Sequence, residues 1–138
     1  MGRLKISRGK VSEAATPLAV RFFVPGNQEN PKGNPIPYHR MTQRSKWTKA
    51  AQRYLAYKNY IVRHALEAGL KINKLTPNGV YELDVVCHFR SENHGDPENI
   101  RKGIQDALFQ IAGDKHVWGM VAFVHHPSKP GVYIALRG

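Results

Sequence analysis

E-N-H-G-D-P-E-N-I-R-K-G-I-Q-D-A-L-F-Q-I-A-G-D, running from Glu92 to Asp114, reads as a loop that turns into a helix. Asp96 suits the cap and Pro97 the first helical position, where a missing N–H costs nothing. Ile100, Ile104, Ala107, Leu108 and Ile111 then recur at three- to four-residue spacing, and Gly113 stops the run. The same stretch holds Glu92, Asp96, Glu98, Asp106 and Asp114, five of the ten acidic residues in a chain whose net charge is +11. Free N–H groups at the helix start favour a carboxylate there, which accounts for one acid but not for the cluster.

The flanking sequence supplies the rest of the framework. Tyr81, Leu83, Val85, Cys87 and Phe89 alternate with Glu82, Asp84, Val86, His88 and Arg90, the pattern of a half-buried strand leading straight into the acidic stretch. Beyond Asp114, Val117–Val124 and Val132–Leu136 read as two more strands. Their connection, from His126 to Gly131, predicts an antiparallel hairpin. Upstream, Ala19–Val24 reads as a first strand, and four prolines mark residues 25–41 as a long loop. Ser45–Ala68 is the longest helical pattern, with Trp47, Ala50, Ala51, Tyr54, Leu55, Ile61, Val62 and Ala65 as its apolar stripe and Gly69 as its stop. The order β-α-β-α-β-β implies an α+β domain: a small mixed sheet of about four strands with two main helices packed on it. Residues 1–16 read as a basic N-terminal arm, and residues 17–138 as one domain, a size that supports a single core.

Charge is unevenly spread. Residues 1–74 carry fifteen Lys/Arg against three Glu, and residues 75–138 carry six against seven acids. Seven of the basic residues lie between Arg40 and Arg63 with no acid among them. Arg40, Arg44, Lys46, Lys49 and Arg53, joined by Arg101, are candidate phosphate contacts, with Lys46, Lys49 and Arg53 expected on one helix face. A merely solvated face would intersperse glutamates. No apolar run is long enough to cross a bilayer, and the N-terminus lacks a signal-peptide apolar region. The single cysteine, Cys87, fits a reducing cytoplasm and a place in the core.

Clustered carboxylates repel one another unless a cation neutralises them. Asp96 and Glu98 at the helix start, with Asp114 ahead of the next strand, are candidate ligands. Oxygen donors without an adjacent cysteine favour Mg²⁺ or Mn²⁺ over zinc. Lys102, one turn after Glu98, is a candidate for stabilising phosphate charge or assisting a water, or for a plain Glu–Lys pair. Asp106 is expected to pair with Lys102, and Asn99 to give support. His94, His116, His125 and His126 match no zinc spacing.

The segment Asp96-x-Glu98-Asn99-x-x-Lys102, followed by Asp106-Ala107-Leu108 and then by Gly113-Asp114 and Val117, resembles the RusA family of Holliday-junction resolvases. That family shows Asp-x-Asp-Asn, a Lys four residues later, an Asp-Ala-Leu, and a further Asp before the next strand. Glu98 stands where the family usually has Asp. The resemblance spans residues 20–136, with about twenty residues carrying its specific part. It implies a Mg²⁺-dependent homodimer, of phage or prophage type, that nicks a four-way DNA junction symmetrically. Asp96, Glu98 and Asp114 would then be metal ligands and Lys102 the catalytic base or charge stabiliser. Two alternatives stand beside it: a non-catalytic basic nucleic-acid-binding module, and a nuclease acting on other branched DNA.

Overall fold

A computed structural model describes residues 18–138; the basic arm expected at residues 1–16 lies outside them. The elements run β1 (Ala19–Pro25), α1 (Lys49–Glu67), β2 (Tyr81–Phe89), α2 (Pro97–Leu108), β3 (Val117–Trp118), β4 (Val121–His125) and β5 (Gly131–Arg137). Short 3-10 turns at Ser45–Trp47 and Ile72–Lys74 flank α1. The α+β expectation holds: a mixed sheet carries two helices. Among the described residues it has five strands rather than about four, because the segment expected as Val117–Val124 is broken in two.

The break has a local cause. Gly119 adopts φ +140°, and a Cβ there would fall 2.0 Å from the Leu83 carbonyl oxygen. Next to it the Met120 N–H donates to Asp84 Oδ1 at 3.0 Å, a side chain standing in for a ladder partner. The Leu83 carbonyl is left free to accept from α2.

Strand order corrects a second expectation. β4 and β5 do not form a hairpin. β2 lies between them, antiparallel to β5 and parallel to β3 and β4, and β1 pairs antiparallel with the outer side of β5. β2 is the most regularly apolar strand, and pairing it on both sides satisfies backbone groups that a β4–β5 hairpin would have left at a sheet edge. The His126–Pro130 connection instead passes the end of β2, where the His126 N–H donates to the Phe89 carbonyl at 2.8 Å.

One face of the sheet carries the core. Leu83, Val85, Cys87 and Phe89 of β2 and Val132, Ile134 and Leu136 of β5 are fully buried against Ile100, Ile104, Ala107 and Leu108 of α2 and Tyr57, Ile61 and Ala65 of α1. Each large aliphatic or aromatic side chain among them contributes about 1.5–3 kcal/mol by leaving water. The helices approach closely at Gly103, where a Cβ would lie 3.1 Å from the Tyr54 ring. Cys87 is the core residue expected, and burial, aided by Asp96, pushes its thiol up to about 12.

Helix limits differ from the pattern in two places. Thr48 caps α1, its hydroxyl accepting from the Ala51 N–H at 3.2 Å, so Trp47 falls in the preceding 3-10 turn and is 76% exposed instead of joining the stripe. Tyr57 and Tyr60 take core positions on α1 that the expected stripe omitted. α2 ends at Leu108; Ile111 lies beyond it in a turn and is exposed, while Phe109 and Ala112 are buried.

Candidate nucleic-acid interface and carboxylate turn

β2 ends at Phe89, and seven residues later Asp96 caps α2, its Oδ1 accepting from the Glu98 N–H at 3.2 Å. Pro97 occupies the first turn, as expected. Asp96 and Glu98 are both exposed on this turn. Among the described residues the second oxygen of Asp96 has no protein donor.

Asp114 does not join them. Its Oδ2 accepts from Gln105 Nε2 at 3.0 Å, and Gln105 lies two turns past Glu98, about 10 Å along the axis at 1.5 Å per residue. Among the described residues no three His, Cys, Asp or Glu side chains are grouped as a metal site. Mg²⁺ commonly takes one or two carboxylates and completes its shell with water and substrate phosphate oxygens; Asp96 and Glu98, both exposed on the same turn, are the residues that would hold it.

The other expected residues separate onto two flanks of α2. On the α1 side, Asp106 Oδ2 accepts from the Tyr54 hydroxyl at 2.7 Å and pairs with Lys58 Nζ at 3.0 Å. The pairing expected with Lys102 is thus replaced, because α1 brings a buried phenol and an ammonium to the same oxygen. Burial, then Asp106, holds the Tyr54 phenol firmly protonated. Lys102 instead lies over the Tyr38 ring, 4.3 Å from its centroid, and is exposed. The Asn99 carbonyl accepts from the Tyr38 N–H at 3.0 Å, so its backbone fastens the loop while the residue itself is exposed.

On the β2 side, Arg101 is turned inward. Its Nε and Nη2 donate to the Leu83 carbonyl freed by the Gly119 break, at 3.1 and 3.0 Å, and its Nη1 donates to Gln105 Oε1 at 2.9 Å. Burial lowers its pKa, and nearby Asp84 and Glu98 oppose that shift. Three of its donors are committed inside the fold, leaving little of the fork for phosphate.

The basic residues upstream are displayed. Arg40, Arg44, Lys49 and Arg53 are exposed, and Lys46 lies over the Trp47 ring at 5.2 Å. Because Thr48 interrupts the helix, only Lys49 and Arg53 belong to α1, and Lys46 sits in the turn before it. Arg53 Nε meets Glu29 at 2.8 Å in a half-exposed pair, which phosphate can exchange for at little cost.

A cleft of about 510 Å³ is lined by Arg53, by the 27–37 loop and by Asn93, His94 and Gly95, the residues that lead into Asp96. Asn27 and Asn34 shape that loop. Asn27 Oδ1 accepts from the Glu29 and Asn30 N–H groups, and Asn34 bridges the Arg90 N–H and the Asn93 carbonyl. The prolines mark the loop as functional in the sequence, but nothing there signals that Asn27 ties the loop to itself or that Asn34 ties it to Arg90 and Asn93, ahead of the carboxylate turn.

Comparison with known proteins finds no matching family model and no matching curated protein.

Proposed function

We propose that this chain is a metal-dependent endodeoxyribonuclease acting on branched DNA, with the four-way junction as its substrate, in DNA recombination and repair. The observation that carries the proposal is the exposed Asp96–Glu98 turn at the head of α2, which directly follows Asn93, His94 and Gly95, residues that line a cleft together with the basic Arg53. The motif resemblance from Asp96 to Val117 supports the same reading. Lys49 and Arg53 draw the phosphate backbone along α1, with Arg40, Arg44 and Lys46 ahead of them. Asp96 and Glu98 hold Mg²⁺, or Mn²⁺ in its place, which when bound polarises the phosphodiester and lowers the pKa of water. Lys102, exposed one turn on, places an ammonium at the substrate side of the same helix. Asp114 acts through Gln105, steadying the C-terminal half of α2.

A homodimer suits the task, since a junction presents two equivalent scissile phosphates. The sheet face opposite the helices leaves Trp118, Val124 and Tyr133 exposed beside the ion pairs of Arg137 with Glu82 and Asp84, a mixed surface that a second copy would cover. Among the described residues no helix is long and apolar enough to cross a membrane. The unpaired Cys87 suits the reducing cytoplasm.

Incubation with a mobile four-way junction tests the proposal. Paired nicks should appear with Mg²⁺ and vanish in Asp96→Asn, which should still bind DNA. A variant that cuts at the wild-type rate would refute the site. The separation of Asp114 from the other two carboxylates favours a second reading, a non-catalytic DNA-binding module, which predicts Mg²⁺-independent binding and no cleavage. Cleavage of three-way or flapped DNA in preference to the four-way junction would shift the substrate assignment.

A further inference from the structure

The aromatic side chains beside the carboxylate turn serve neither the metal nor the phosphates. His94 lies flat on the buried Phe89 ring, 3.5 Å between centroids at an interplanar angle of 4°. Phe123 and His125 of β4 flank this pair: Phe123 is 5.9 Å from both Phe89 and His94, and His125 is 5.6 Å from His94. Phe123 is 55% exposed, although it sits on the helix-side face of its strand as the register partner of Cys87. His94 precedes Asp96 by two residues and lines the same cleft as Arg53. A large phenyl ring bracketed by two imidazoles, one of which lines the polar cleft, leaves more than half of its area outside the core.

We infer that Phe123, with His94 and His125 beside it, is a stacking platform for one unpaired nucleobase of the DNA held at the Asp96–Glu98 turn. The inference rests on the DNA-binding part of the proposed function. The occupant follows from the surroundings: a basic helix brings a polyanion to the cleft, and the platform offers π-faces, which every base can meet irrespective of sequence. Paired bases in an intact duplex present no free face. A junction's point of strand exchange keeps its bases paired but interrupts their continuous stacking, so a base there is unpaired and brought onto an aromatic face at lower cost than one inside a duplex. The platform would therefore discriminate branched from linear DNA, while the phosphate contacts would not.

The test uses the full chain and a four-way junction carrying 2-aminopurine at the exchange point, in the absence of Mg²⁺ so that only binding is read. Wild type should raise the 2-aminopurine fluorescence several-fold, and Phe123→Tyr should keep that rise. Phe123→Ala should abolish the rise and weaken junction binding by about five- to 150-fold, the range of one base–aromatic stack. Its affinity for linear duplex should stay within about twofold, since that depends on the phosphate contacts. Because Phe123 is exposed, the circular dichroism and melting of the alanine variant should match wild type. Junction binding with no fluorescence change, or an unchanged response in Phe123→Ala, overturns the inference and leaves the nuclease reading standing. Unstacking without cleavage once Mg²⁺ is added overturns the nuclease reading and leaves the platform standing. A protein that binds no DNA overturns both. A Phe123→Ala variant that turns a dimer into monomers with fluorescence intact would make the patch a subunit contact, and the inference would fail.

Discussion

The first turn of α2 and the remainder of that helix carry the same kinds of residue and use them oppositely. Further along, two of the three charges are spent within the fold, Asp106 on Tyr54 and Lys58 and Arg101 on the Leu83 carbonyl and Gln105, while Lys102 stays exposed over Tyr38. At the first turn Asp96 gives one oxygen to a backbone N–H, and Glu98 is exposed. A carboxylate that already has donors and a cation gains little from a metal. One at a helix N-terminus, still facing water, retains its capacity to bind. Charge clustering in sequence therefore does not by itself mark a site; unspent charge does.

Substitutions can break this contrast. Asp96→Asn should lower junction cleavage by about 10³-fold or more, the scale of several kcal/mol of lost transition-state stabilisation, with melting almost unchanged. Asp106→Asn should do the reverse, sparing most activity and costing about 2 kcal/mol in urea unfolding as a hydrogen-bonded charge is removed beside Tyr54 and Lys58. Equal loss of activity in the two variants would erase the distinction. Arg101→Met should cost a similar or smaller amount, about 1.5–2 kcal/mol, with little change in the salt dependence of DNA binding. A large drop in that dependence would return Arg101 to the interface. Lys49→Ala, by contrast, should leave stability alone and flatten the plot of log affinity against log salt by about 0.9 for each phosphate no longer neutralised.

The smallest effect at neutral pH concerns Cys87, whose thiol burial raises from 9.0 to about 12. A raised folded-state value favours the protonated form. Its contribution is complete below pH 9 and is lost as pH climbs towards 12. Urea midpoints measured from about pH 8 upward should begin to fall above 9, with the raised values of Tyr54, Tyr57 and Tyr60 adding to the fall above 10. A flat profile would mean that water reaches these groups in the folded chain.

Much of this was legible from residue order. Alternation in Tyr81–Phe89, the Asp96-Pro97 start and the glycine stops are local signals, and the corresponding elements lie where the patterns put them. The pairing of β5 with β2 was not legible, because a short connection suggests a hairpin while backbone satisfaction at the central strand is a property of the whole sheet. The fate of Asp106 was hidden for a like reason: Lys102 is its neighbour along the helix, but Tyr54 and Lys58 come from 48 to 52 residues away. Trp47 shows the limit of periodicity alone, since one capping threonine removes it from the helix that its spacing suggests. Phe123, His94 and His125 carry no spacing motif, and only the parallel register of β4 on β2 brings them together.

Among the described residues β1 pairs in the sheet with β5 alone, and that partner arrives only when Gly131–Arg137 has been synthesised. During translation Val20, Phe22 and Val24 of β1 wait as a ribbon without it while nearly all of the remaining chain is made. Formation of the finished sheet is thereby a late event, and nascent chains are most exposed to mispairing along that ribbon.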